Sequence, residues 1–489
     1  MKRWICCFLA CLMLACCLLA SCGKTPEKPG DESGTATNEP ASTVDPSLEF
    51  TVPEKLNFDR TFTVLTYNSA EPEFGDAAGD SGDSVNTALV NRDRFVEDYL
   101  GVTMKVESRN GMFGDRLEYV AFVANSINGG LGTFDMIGSY SLIPVSLMVR
   151  GLLQDLNTLE YLDFSKNWWA GFIYDSVALN NRAYFMSGDI STNLLYFMQI
   201  MAFHGDLLAA YNISETELYN LVDAGEWTLD RLLEITASIS QPDQNGNWTE
   251  QALYGVGCSD GNVLDSFYIT SGQKLFAIDD GHLTVSGDIT STRTTELFEK
   301  VYKALYDTHT IGLGANPGAT NNMFRDNRNV FGIMPVYNLK SIVTESKDVG
   351  LLPFPKYTED EEYRTLLGQP HTQYYIPIDA SKPEMSAAAM ETMAYASNLY
   401  VTPEVFLKVM KYRFSKDANS SRMFDIIRTG SCTELGILSY MLFTGGVEPA
   451  SMFRNALLGK KSNWTSYVEG SFVNPMTGVA GSLDDFYYE

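Results

Sequence analysis

Apolar and polar positions alternate through Arg60–Ser69 (RTFTVLTYNS), where Phe62, Val64 and Leu65 are set among threonines. This pattern predicts a strand that ends at Asn68. In SVNTALVNRDRFVEDYLG the period changes to that of a helix, with Val85, Leu89, Phe95, Val96 and Tyr99 on one face and Gly101 as the C-terminal stop. VTMKVES alternates again, DRLEYVAFVANSING reads as a second helix, and FDMIGSYS is a short apolar strand ending in small polar residues. The order β-α-β-α-β predicts a parallel sheet. Ligands of open parallel sheets sit beyond the carboxyl ends of the strands, which singles out Tyr67, Asn68, Ser139 and Tyr140.

A second α/β block begins near residue 190. Two helices are predicted within SETELYNLVDAGEWTLDRLLEITASIS, the first opened by a Ser214/Glu217 capping box and the second by Thr228 as N-cap. YGVGCS reads as a strand and TTELFEKVYKALYD as a helix. NVFGIMPVYNLKSI reads as a strand running into Tyr337 and Asn338, and VGLLPFPKY follows. The third block holds strand-like QYYIPI and an Ala/Met-rich helix, with Ser381 and Glu384 bracketing Pro383 at its start. Residues 401–489 read as mostly helical, then loop-rich from Gly445.

The N-terminus has a different character. Lys2 and Arg3 precede an uncharged run over residues 4–19, which is short for a membrane span and fits a signal segment. Leu19-Ala20-Ser21-Cys22 resembles the lipobox of bacterial lipoproteins, which implies cleavage before Cys22 and lipidation of its thiol. Residues 1–21 are then a lipoprotein signal peptide, and 22–50 a lipidated cysteine with a Pro/Gly/Ser/Thr-rich tether. Five other cysteines fall within the signal, which leaves only Cys258 and Cys432 in the body, too few and too far apart for a disulfide framework. A net charge of −26 argues against a nucleic-acid partner and against binding to anionic lipid surfaces.

The segments FTVLTYN, FDMIGSYSLIPVSLMVRGLLQDLNTLEYLD, NRAYFMSGDIS, LYNLVDAGEWTLDRLLEIT, FRDNRNVFGIMPVYNL and VGLLPFPKY, taken in order, resemble the extracellular solute-binding proteins of carbohydrate ABC transporters, the group that includes maltose-binding protein. The resemblance covers about residues 58–440. It implies an α/β, two-lobed periplasmic-binding-protein-like fold with a hinge and an interlobe cleft. Lobe 1 would be 58–190 plus 361–400, and lobe 2 would be 191–360 plus 401–489. The implied role is capture of a sugar or oligosaccharide and its delivery to ABC transporter permease subunits, on the extracytoplasmic face of the cell membrane, with the lipid as anchor. No catalysis and no cofactor are implied.

Sugars present C–H faces to aromatic rings and hydroxyls to fixed polar groups. Beside the four strand-end residues, the resemblance points to Tyr337 with Asn338, the pair Trp168 and Trp169, Asp189 near the first crossing, Tyr268, and His371 with Gln373. PDQNGNWTE has Asp243, Asn245, Asn247 and Thr249 at alternating positions of a calcium-type loop. Its glycine is misplaced, however, and Tyr254 stands where a bidentate glutamate is needed, so no metal is expected. His204, His282, His309 and His371 form no HExxH, and neither a GxSxG elbow nor a phosphate loop occurs. A hydrolytic carboxylate pair, a glycan-capture lipoprotein without a transporter, and a binder of peptides or other non-sugar solutes stay open as alternatives.

Overall fold

Strand β1 (Arg60–Tyr67) runs through the first core, with Phe62, Val64 and Leu65 fully buried. Helix Ser84–Leu100 follows. Asp83 Oδ1 caps it by accepting from the amides of Val85 and Asn86 at 2.9 and 3.2 Å. Gly101, at φ 60°, ends it in the left-handed conformation, where a Cβ would also strike Asn57. β2 (Val102–Arg109) and β3 (Met136–Tyr140) then pair with β1 in parallel on its two sides. The computed structural model describes residues 49–488 apart from Pro53, Asp80, Ser81, Ser346 and Lys347. The signal segment, Cys22 and nearly all of the tether lie outside the described residues. Among the described residues, no helix is long and apolar enough to cross a membrane.

The chain next builds a second sheet from β4 (Gln199–His204), β5 (Tyr254–Ser259), β8 (Ile311–Gly314), β9 (Asn329–Pro335) and β10 (Val349–Leu352), in the order β10-β4-β9-β5-β8. Between β5 and β8 stands a small hairpin of β6 (Phe276–Asp279) and β7 (His282–Val285). A short β11 (Thr365–Leu366) follows. β12 (Thr372–Tyr375) then returns to the first sheet, antiparallel to β3, so that sheet has the order β12-β3-β1-β2. The return is what makes two lobes from one chain, because strands on either side of the second sheet in sequence share the first.

Ser214 and Thr228 cap their helices as expected, accepting from the amides of Glu217 and Arg231. Ser381 does not cap. Helix Pro383–Ala396 starts after Lys382 without a side-chain cap and packs against helix Ser84–Leu100. Its buried run Ala387–Ala389 allows that close approach. The helix then widens into π-type turns over Ser397–Val401 and Pro403–Phe414, and helix Ala418–Thr429 packs on β10. A short β13 (Ser431–Cys432) pairs in parallel with β11. Loop-rich structure from Gly445 is not found. Met452–Leu458, Trp464–Ser471 and Val473–Tyr488 are helices. Their apolar positions are spaced sparsely among Gly, Ser and Asn, which hides the period. Met476, Ala480, Leu483 and Tyr487 still line up on one buried face.

Candidate functional site

Tyr67 is the last residue of β1, and its hydroxyl donates to the Pro370 carbonyl at 2.9 Å. Tyr140 ends β3 and meets Tyr67 edge-on, with ring centres 6.3 Å apart. Phe113, on the turn after β2, lies 6.3 Å from Tyr140 and is 41% exposed. The Arg116 guanidinium covers the Phe113 ring at 3.9 Å, and Tyr440 from the C-terminal region meets that ring edge-on at 5.7 Å. Gly111 lies against Tyr119 and Tyr67, where a Cβ would stand 2.6 Å from the Tyr119 ring and 2.8 Å from the Tyr67 Cβ. Asn68 is exposed and accepts from the Gly111 amide at 2.9 Å, so its side chain anchors this loop. Ser139 is fully buried, opposite Gln373 in the β3–β12 register.

The expected residues after β9 have their own neighbours. Tyr337 follows β9, is half-buried, and stacks on Phe197 at 5.5 Å and 11°. Asn338 donates from its amide to Asn321 Oδ1 at 2.8 Å. Lys340 holds its ammonium 5.7 Å from the Tyr337 ring and 2.5 Å from Glu71 of the first lobe. A cavity of about 670 Å³ opens beside this ion pair, walled by Glu71, Asp83, Tyr196 and Arg413, while Tyr140 and Tyr337 lie outside its lining.

The segments that pass between the sheets form the floor. Gly368 donates its amide to the Phe197 carbonyl at 2.7 Å. His371 is buried, and burial pushes its pKa down to about 4, so the ring is neutral. A carbonyl can only accept, so Nδ1–H donates to Gly368 O (2.8 Å) and Nε2 accepts from the Gln373 amide (3.0 Å). Gln373 Oε1 and Gln199 Oε1 are buried acceptors with no partner among the described residues.

Sequence reasoning missed the residue that organises this floor. Glu73 is 3% exposed on the loop after β1. Its carboxylate accepts from Ser191 Oγ (3.0 Å), the Thr192 amide (3.1 Å), Asn193 Nδ2, Thr372 Oγ1 (2.7 Å) and Tyr374 Oη (3.1 Å). One side chain therefore fastens the segment Ser191–Asn193 and strand β12 to the loop after β1. The nearest sequence signal is Ser191-Thr192-Asn193, a helix start rich in donors but without an acid of its own.

Trp168, Trp169, Tyr268 and Asp189 are buried against protein partners, as are Tyr67, Tyr140 and His371 at 2%, 4% and 1% exposed. Trp168 and Trp169 are 1% and 4% exposed, and each indole donates to one oxygen of Glu391 at 2.9 Å. Tyr268 donates to the Lys274 carbonyl at 3.0 Å and packs near Phe453 and Trp464. Asp189 is buried, with Oδ1 accepting from Arg428 (2.8 Å) and Oδ2 from Asn398 (2.7 Å), so it ties the first crossing to the turn Ser397–Val401 and to helix Ala418–Thr429. Two adjacent tryptophans and an acid near a crossing look the same in sequence whether they face a ligand or a buried partner. Asp243 spends its carboxylate on a turn, accepting from the amides of Asn245 and Asn247 and from Thr249 Oγ1, each at 2.9 Å.

No family model and no curated protein matches the sequence. Solved structures do. A cyclo/maltodextrin-binding protein complexed with maltotetraose superposes with a TM-score of 0.57 at 14% identity, over 86% of this chain and 97% of that one. The chain has the fold of ABC-transporter solute-binding proteins. The galacto-N-biose/lacto-N-biose I-binding protein of Bifidobacterium longum gives 0.54 at 12% identity (87% and 97% covered). An ABC substrate-binding protein from Listeria monocytogenes in complex with cycloalternan gives 0.52 at 14% identity (86% and 99%). These neighbours are binding proteins rather than enzymes. In a solute-binding-protein fold, lobe motion is borne by the crossing segments, and these are the segments that Glu73 and Asp189 fasten.

Proposed function

We propose that this chain is the substrate-binding lipoprotein of a carbohydrate ABC transporter, anchored through Cys22 on the extracytoplasmic face of the membrane. It captures a neutral sugar or oligosaccharide between its lobes, 58–190 plus 361–400 and 191–360 plus 401–489, and hands it unaltered to the permease. The observation that carries the reading is that one crossing segment links strand-end rings of the two lobes: Pro370 accepts from Tyr67, and Gly368 bonds Phe197, on which half-buried Tyr337 stacks, with Gln199 beside Gly368 and Gln373 bonded to His371. Rings stack on pyranose faces, and amide oxygens accept from hydroxyls. A carboxylate or phosphate ligand would set acceptor against acceptor on that floor. The sugars bound in the neighbouring structures support the same class.

The test is a thermal-shift screen against mono- and oligosaccharides. A binder at 100 times its Kd adds about 2.7 kcal/mol. Tyr337→Ala weakens that binder by at least about tenfold, while the lost stack on Phe197 lowers the melting temperature of the unliganded chain only modestly. A panel in which short peptides raise the melting temperature and no sugar does would overturn the reading.

A further inference from the structure

A second pocket of about 480 Å³ lies along β8, the edge strand of the second sheet. The amides of Val256 and Asp260 donate to the carbonyls of Thr310 and Gly314, so β8 faces β5 through alternate residues. Trp248 stands at the mouth, 37% exposed. Its loop is the one built on Asp243, and Tyr254 Oη adds a bond to the Thr249 carbonyl at 3.0 Å. One face of the indole stacks on His309 at 4.3 Å and 16°, and His309 itself holds a left-handed φ of 50°. Tyr254 also meets the indole, at 5.8 Å and 43°, so the ring is held in place outside the core and stays part-exposed.

The other lining groups narrow the ligand class. Glu250 and Asp260 disfavour an anion. Lys460, whose ammonium lies 4.7 Å over the Tyr306 ring, brings a positive charge into the same lining and opposes a cationic ligand. A neutral ligand with one apolar face and several hydroxyls is what remains. We propose that this pocket is a second carbohydrate site, taking a single neutral pyranose stacked on Trp248, with hydroxyls held by Glu250, Asp260 and Lys460. It does not depend on the reading of the interlobe cleft.

The test uses the full chain labelled with 5-fluorotryptophan, with methyl β-D-glucopyranoside, methyl α-D-mannopyranoside and methyl β-D-galactopyranoside as probes. The fluorine resonance absent from Trp248→Phe identifies residue 248. One of the probes shifts it saturably at millimolar concentration. In Asp260→Asn, which leaves the fluorinated ring in place, this isotherm weakens by about tenfold while cleft binding stays unchanged. In Tyr337→Ala the resonance still responds. The proposal is overturned if no pyranoside moves the resonance saturably, or if its response disappears in Tyr337→Ala, since that would make it an echo of the cleft.

Discussion

At the scale of the residue, His371 and Tyr337 show how differently two aromatic candidates can serve one site. Tyr337 keeps part of its ring open beside Lys340, whereas His371 is sealed between Gly368 and Gln373. Burial holds the His371 pKa at about 4 against an ordinary 6.5. The unfolded chain therefore takes up a proton below pH 6.5 that the folded hinge refuses. This share of stability is present above pH 6.5 and is lost as the pH falls toward 4, by at most about 1.36 kcal/mol per pH unit. Urea unfolding of wild type and His371→Asn across pH 4–7 reads this share directly, and the acid slope is shallower in the variant. If both slopes are equal, the ring titrates normally.

At the scale of the element, single carboxylates couple segments far apart in sequence. Glu73 holds the start of helix Thr192–Tyr196 and strand β12 to the loop after β1. Glu73→Gln leaves buried donors without a full acceptor and costs on the order of 3 kcal/mol, measured as a lower urea midpoint at constant m-value. Glu391 does the same for Trp168, Trp169 and Thr51. Burial raises its pKa from 4.5 to about 7, against the pull of its donors. A folded pKa above the unfolded one gives stability that is full below pH 4.5 and is lost as the pH rises through 7. The melting temperature of Glu391→Gln accordingly varies less with pH between 5 and 8 than that of wild type. Such networks were not legible in the sequence, because periodicity reports which side of an element is buried and not what polar group meets it there. The helix caps were legible, since donor and acceptor lie within four residues of each other.

At the scale of the whole molecule, the Glu71–Lys340 ion pair joins the lobes directly beside Tyr337. Lys340 is 45% exposed, so the pair contributes only about 0.5 kcal/mol. Calorimetric titration of Lys340→Gln with the sugar found in the screen gives a Kd about twofold higher. Affinity in wild type also falls with added salt although the ligand is uncharged, and this dependence is lost in the variant. Equal salt slopes would show that the pair does not bias closure. The C-terminal helix joins distant parts of the chain in a similar way, as Tyr487 donates to the Val177 carbonyl at 2.7 Å and Asp484 accepts from the Leu283 amide.

The sequence by itself determined the α/β character, the parallel order of the first three strands, the strand-end positions of Tyr67, Tyr140 and Tyr337, and the caps at Ser214 and Thr228. All of these follow from local period, local hydrogen bonding or the direction of a strand. Only the tertiary structure decided that Trp168, Trp169, Tyr268 and Asp189 face protein partners, that Phe113 and Tyr440 stand beside Tyr140, and that Glu73 holds the hinge. These contacts join residues up to several hundred positions apart. Their partners are chosen by packing and by the need to satisfy buried polar groups, which no single segment of the chain encodes.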